Sequence, residues 1–242
     1  MVPFVFLTLA APRGQVQPWE ADLKQAEKRA ATERQLIVMQ ITEAGDKFAI
    51  ALPKALIAPG FAFSKSGPKS RIELWDSDER VMGRIISPFT PEFAESWFKT
   101  ADRVWRHHDA LVFRSKGRMD DQSTLDLVFS YACRGETEKA AQWVGHIPSD
   151  KPLEGADLTL AIYAMALEWS NSADRAAEAY QRLELRTKNP EFKALAWIGE
   201  ARMWRLDRRD DAILSLKKAS SARDVPKNLK DYADAKLEEL GN

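Results

Sequence analysis

Ala140, Ala176 and Ala212 stand 36 residues apart, each inside a closely similar string: Glu138-Lys139-Ala140-Ala141, Asp174-Arg175-Ala176-Ala177 and Asp210-Asp211-Ala212-Ile213. The same step relates Tyr131, Leu167 and Met203. It also relates Val144, Tyr180 and Leu216, then Ile147, Leu183 and Ala219, and finally Pro190 and Pro226. A fixed period of this length marks copies of one supersecondary unit. Such a unit cannot bury its own apolar face, so its copies must stack, each covering the one before. The C-terminal half is therefore restricted to a quasi-linear array.

Inside one unit the apolar positions run at helical spacing. Leu160, Tyr163, Ala164 and Leu167 share one face, and Ala176, Ala179, Tyr180 and Leu183 share another. Short polar breaks separate the two helices of each unit: Gly135-Glu136-Thr137, Asn171-Ser172-Ala173 and Asp207-Arg208-Arg209. Gly135 and Asn171 tolerate the left-handed backbone that ends a helix. Asn189-Pro190-Glu191 reads as a helix start, with an Asn cap and Pro at the first helical position. Three helical hairpins are expected, closed by a solvating cap helix over 227–240.

These units resemble tetratricopeptide repeats over roughly residues 120–225. The resemblance rests on the small residue early in the second helix (Ala140, Ala176, Ala212) and the large one near the end of the first (Tyr131, Leu167, Met203). It also rests on prolines near the unit boundaries, Pro152, Pro190 and Pro226. The period of 36 and Glu200, where the family prefers a small residue, depart from its pattern. The resemblance implies a concave surface, lined by the first helix of each hairpin, that takes up a peptide or partner helix. By register that surface would carry Leu125, Phe129, Met165, Trp169, Trp197, Arg202, Trp204 and Arg205. Trp and Arg are the residues most enriched in binding hot spots, although large aromatics also pack between neighbouring hairpins.

The N-terminal half has a different pattern. Trp19, Leu23, Ala26 and Ala30 have helical spacing, and the short apolar run 36–41 reads as a buried strand. Arg71–Trp75 and Arg80–Ile86 flank the acidic turn Asp76-Ser77-Asp78-Glu79 as a β-hairpin. Thr90-Pro91-Glu92 then opens a helix with Phe93, Trp97, Ala101, Val104 and Trp105 on one face. This order of elements resembles the thioredoxin-like fold. The family's redox pair would follow the first buried strand, where Thr42-Glu43-Ala44-Gly45-Asp46-Lys47 stand instead; Pro68 is the nearest match to its cis-proline. The expected fold class is α+β: a redox-inactive thioredoxin-like domain over 18–112, an exposed join at 114–118, and an all-α repeat domain over 120–242.

Composition narrows the functions. The 242 residues carry 36 Lys plus Arg against 36 Asp plus Glu, so no global charge draws the chain to nucleic acid or anionic lipid. No apolar run approaches the roughly 18 residues of a spanning helix. Residues 1–11 are apolar throughout and end in small residues, which resembles the core of a secretory signal without its basic start. Residues 1–17 are thus expected to be a signal remnant or tail of a protein exported to a bacterial periplasm, with the cytoplasm as the alternative. Cys133 is the single cysteine, so no intrachain disulfide or Cys-x-x-Cys pair exists.

No constellation points to catalysis. Adjacent His107 and His108 point about 100° apart on a helix and do not converge on one ion as a spacing of three or four would. The acidic turn lacks the ligand count of a calcium loop. Gly60, Gly67 and Gly83 are isolated, so no phosphate loop is present. Ser64-Lys65-Ser66 has no oxyanion device beside it, and Arg202, Arg205, Arg208 and Arg209 are interrupted by Asp207, Asp210 and Asp211. The expectation is a non-catalytic scaffold or adaptor for a protein or peptide partner, with no metal and no cofactor. The alternative is a thioredoxin-related chaperone or thiol-dependent module using the lone Cys133, which can form a mixed disulfide but not resolve it.

Overall fold

The structure, a computed structural model, describes residues 19–20, 28, 30–32, 36–41, 58–59, 71–76, 80–148, 152–204 and 208–241. The apolar start, most of the expected first helix, segment 42–47, Ser64–Ser66, Pro68 and Arg205 lie outside these residues. The chain divides into two compact units, 1–87 with 91–103, and 88–90 with 104–242. The division falls inside a long helix rather than at the exposed turn 114–118.

In the first unit, strand β1 (Trp19–Glu20) pairs in parallel with β3 (Ala58–Pro59). Strands β2 (Ile37–Ile41), β4 (Arg71–Trp75) and β5 (Val81–Ile86) form an antiparallel sheet in the order β2-β4-β5. The expected hairpin is β4–β5, with Glu73 opposite Arg84 and a bulge between Leu74 and Trp75. Strand residues alternate between faces. Ile72, Leu74 and Ile85 are buried on one face, while Arg71, Glu73 and Trp75 stand on the other. Helix α1 (Pro91–Arg114) buries Phe93, Trp97, Ala101 and Val104 as its spacing predicts, and leaves Trp105 half-buried.

The second unit is a run of helical hairpins. Helices α2 (Asp121–Cys133) and α3 (Thr137–Val144) make the first, α4 (Ala156–Trp169) and α5 (Ala173–Arg186) the second, α6 (Pro190–Trp204) and α7 (Arg209–Ser221) the third. Helix α8 (Lys227–Glu239) follows and buries Leu229 and Ala233. Local chemistry sets the boundaries. Asp120 caps α2 by accepting from the Ser123 backbone N–H at 2.7 Å. Asn189 Oδ1 accepts from the Glu191 N–H at 2.9 Å at the start of α6. Gly135 and Asn171 take φ of 71° and 57° at the breaks between helices, the left-handed backbone expected there.

Each helix from α2 onward packs against the next. In addition α2 touches α4, α4 touches α6 and α6 touches α8, whereas the second helices reach one another through long side chains such as Arg175 to Glu138 and Lys218 to Glu184. The first helices thus form one continuous layer. The aligned columns explain the stacking: Ala140, Ala176 and Ala212 are fully buried where the paired helices approach, and Val144, Tyr180 and Leu216 are buried one turn on. Tyr131 and Leu167 are buried, while Met203 is half-buried.

Candidate functional site

The expected partner-binding residues separate into three groups. Phe129 on α2 and Met165 on α4 are buried in the array. Helix α4 is apolar on nearly all sides and correspondingly buried on nearly all sides, which is how such a helix avoids water. Trp197 and Arg202 are held by side chains of neighbouring helices. Trp169 and Trp204, at the C-terminal ends of α4 and α6, keep exposed surface: Trp169 is 36% exposed and Trp204 half-buried.

Arg202 belongs to a buried cluster that joins the second and third hairpins. Its Nε donates to Glu168 Oε1 at 2.9 Å and its Nη2 to Glu168 Oε2 at 2.8 Å. The Tyr180 hydroxyl, from α5, donates to the same Oε2 at 2.8 Å. The fork of the guanidinium matches the two carboxylate oxygens, the strongest geometry an ion pair adopts. Burial alone would push the guanidinium down, but the charge of Glu168 and the neighbouring tyrosines hold Arg202 well above its usual range. Burial, reinforced by the Glu168 charge, likewise raises the Tyr180 hydroxyl, so it stays a donor. Gly199 makes room for this cluster: an added Cβ there would enter the Tyr180 ring.

Trp197 is tied to a second polar cluster. Its indole N–H donates to Glu184 Oε1 of α5 at 2.5 Å, and Lys218 of α7 lies 3.2 Å from that carboxylate and 5.9 Å from the indole centroid. Glu200, next to this cluster on α6, is 2% exposed and accepts from Ser215 Oγ at 3.1 Å. Its Oε1 has no hydrogen-bond partner among the described residues. At the exposed end of α6 the Arg208 guanidinium lies 4.6 Å from the Trp204 ring centroid and pairs with Asp211 at 2.6 Å. An Arg over an indole face is an attractive arrangement that keeps the ring oriented.

Other residues singled out from the sequence have packing roles. His108 Nδ1 lies 2.8 Å from Ser130 Oγ, and its ring meets Tyr131 edge-on at 5.8 Å. Burial pushes its imidazole down, and Arg134 adds to this. Cys133 is 7% exposed on α2. In the first unit, Glu73 accepts from Arg71 Nε at 2.9 Å, Arg84 Nε at 2.7 Å and Trp75 Nε1 at 2.9 Å. This sheet cluster, and the roles of Glu168 and Glu184, escaped the sequence reading. Glu168 carried a usable signal, since it interrupts the apolar run Ala164-Met165-Ala166-Leu167 before Trp169. No protein-family model, no curated protein and no solved structure matches the chain.

Proposed function

We propose that the chain is a non-catalytic binding module, a tetratricopeptide-like array joined to a thioredoxin-like domain without redox cysteines. Three stacked hairpins whose first helices form one layer support the first half of that reading. The parallel β1–β3 pair beside an antiparallel β2-β4-β5 sheet supports the second. The array would hold a peptide or partner helix along the C-terminal ends of its first helices. The carrying observation is the pair Trp169 and Trp204, partly exposed at the ends of successive first helices, with the Arg202–Glu168 fork fixing one helix against the other. Aromatic surface left in water beside rigid packing is where binding energy concentrates. Phe129, Met165, Trp197 and Arg202 would act beneath this rim by positioning it.

A photo-crosslinking residue at position 169 or 204 tests the reading in native extract. Adducts with the same partner from both positions, and not from position 185 on α5, are expected; adducts from position 185 alone would move the surface to the second helices.

A further inference from the structure

Glu200 sits where hairpins two and three meet, and its surroundings are matched to a neutral acid rather than to a carboxylate. It lies on α6, 2% exposed, with one oxygen satisfied by Ser215 of α7 and the other without a donor among the described residues. The groups acting on it are Glu184 from α5 and Ser215 and Lys218 from α7. Glu184 is already engaged with Trp197 and Lys218, so the one cation acting on Glu200 among the described residues is shared with another carboxylate. Helices α4 and α8, which also pack on α6, direct Glu168 and Tyr232 toward Arg202 instead. An ionised carboxylate in this position would leave a buried charge with an unmade hydrogen bond beside a like charge, an arrangement that is costly in a low-dielectric interior.

We propose that Glu200 is a proton-operated latch: neutral, it lets α6 close against α5 and α7, and ionised, it favours opening of the third hairpin from the second. In the open state water supplies the missing hydrogen bonds, and the distance from Glu184 grows. Burial first, then the Glu184 charge, pushes the closed-state carboxyl from 4.5 up to about 7, with Ser215 and Lys218 partly opposing them. A raised acid binds its proton more tightly when closed. The latch is therefore fully set below about pH 4.5, weakens as pH rises toward 7, and changes little above that. From pH 5.5 to 7.5 the population of the open hairpin should rise about twentyfold.

Hydrogen exchange on the full chain at pH 5.5 and 7.5, corrected for intrinsic exchange rates, reads this directly. Peptides from α6 and α7 should lose about twentyfold in protection across that interval in the native chain. They should lose little in Glu200→Gln, which keeps the shape and the acceptor for Ser215 but cannot ionise. Peptides from α2 and α3 should not follow. An equal loss in the native chain and in Glu200→Gln overturns the proposal, as does a loss spread evenly over all hairpins. If Glu200→Gln does not fold, Ser215→Ala replaces it: removing a hydroxyl that favours the ionised form should move the loss to higher pH, and an unmoved midpoint is equally fatal.

Discussion

Arg202 on α6 grips Glu168 on α4 with two hydrogen bonds of 2.9 and 2.8 Å; the carboxylate is buried and the Arg202 side chain keeps 11% exposure. The two residues are 34 apart in sequence and belong to successive hairpins. A stack held only by apolar faces permits sliding between layers. A bidentate pair with a third partner in Tyr180 does not, because each member satisfies donors and acceptors the others have lost to burial. The fork thus couples the ends of two first helices, the same ends that carry Trp169 and Trp204.

Removing one member should therefore cost more than removing both. Arg202→Met leaves Glu168 buried and uncompensated, for which a loss of about 3–5 kcal/mol is expected in chemical denaturation. The double variant Arg202→Met/Glu168→Met should recover most of that loss, because no buried charge remains. Equal losses in the two variants would show that packing, and not charge, dominates the site.

Gly199→Ala tests the packing around the same cluster. Alanine is the better helix former by about 1 kcal/mol, so a site with space would gain stability. Here the new Cβ meets the Tyr180 ring, which is fully buried and tied through its hydroxyl to Glu168. The ring has no room to yield, and a net loss of about 1–3 kcal/mol is expected. A rise in melting temperature would refute this contact.

The two units should respond to acid in opposite directions. Burial by itself would raise the Glu73 carboxyl, but the hydrogen bond from Arg71, the Arg84 charge and the Trp75 indole outweigh it and hold the group below its usual 4.5. A lowered carboxylate stabilises the folded state above its unfolded value, and that contribution is lost as pH falls below about 4.5. Hydrogen exchange of β4 and β5 should speed up on acidification in the native chain and much less in Glu73→Gln, after intrinsic rates are removed. Helices α6 and α7 should show the reverse trend between pH 4.5 and 7, set by Glu200.

Cys133 is buried on α2, so labelling by a water-soluble thiol reagent should be slow in the native chain and fast in denaturant. A buried thiol is inert because neither the reagent nor the thiolate charge is accommodated there. Rapid labelling of the folded chain would revive the thiol-dependent reading.

The stacking was legible because a repeat period records it: three alanines 36 apart are buried for one shared reason, the approach of paired helices. The caps at Asn189, Gly135 and Asn171 were legible because backbone geometry demands those residue types locally. The polar clusters were not. Periodicity assigns Glu168, Arg202 and Glu200 to helices but carries no distance between them, and the same spacing fits a solvated face or a buried fork. Register also identified the face holding Phe129 and Met165 without saying what covers it, so buried and exposed members of one set looked alike. Glu73 was hidden inside the short alternating strand Arg71–Trp75, where a charged residue ordinarily marks the wet side.

The most direct test of the binding reading is affinity capture from native extract with the full chain and a Trp169→Ala/Trp204→Ala variant, circular dichroism showing both equally helical. The reading predicts a partner retained by the native chain and lost by the variant, since truncating central aromatic anchors typically costs 2 kcal/mol or more, about thirtyfold in affinity. Partners retained equally by both chains would contradict it and assign binding to another surface.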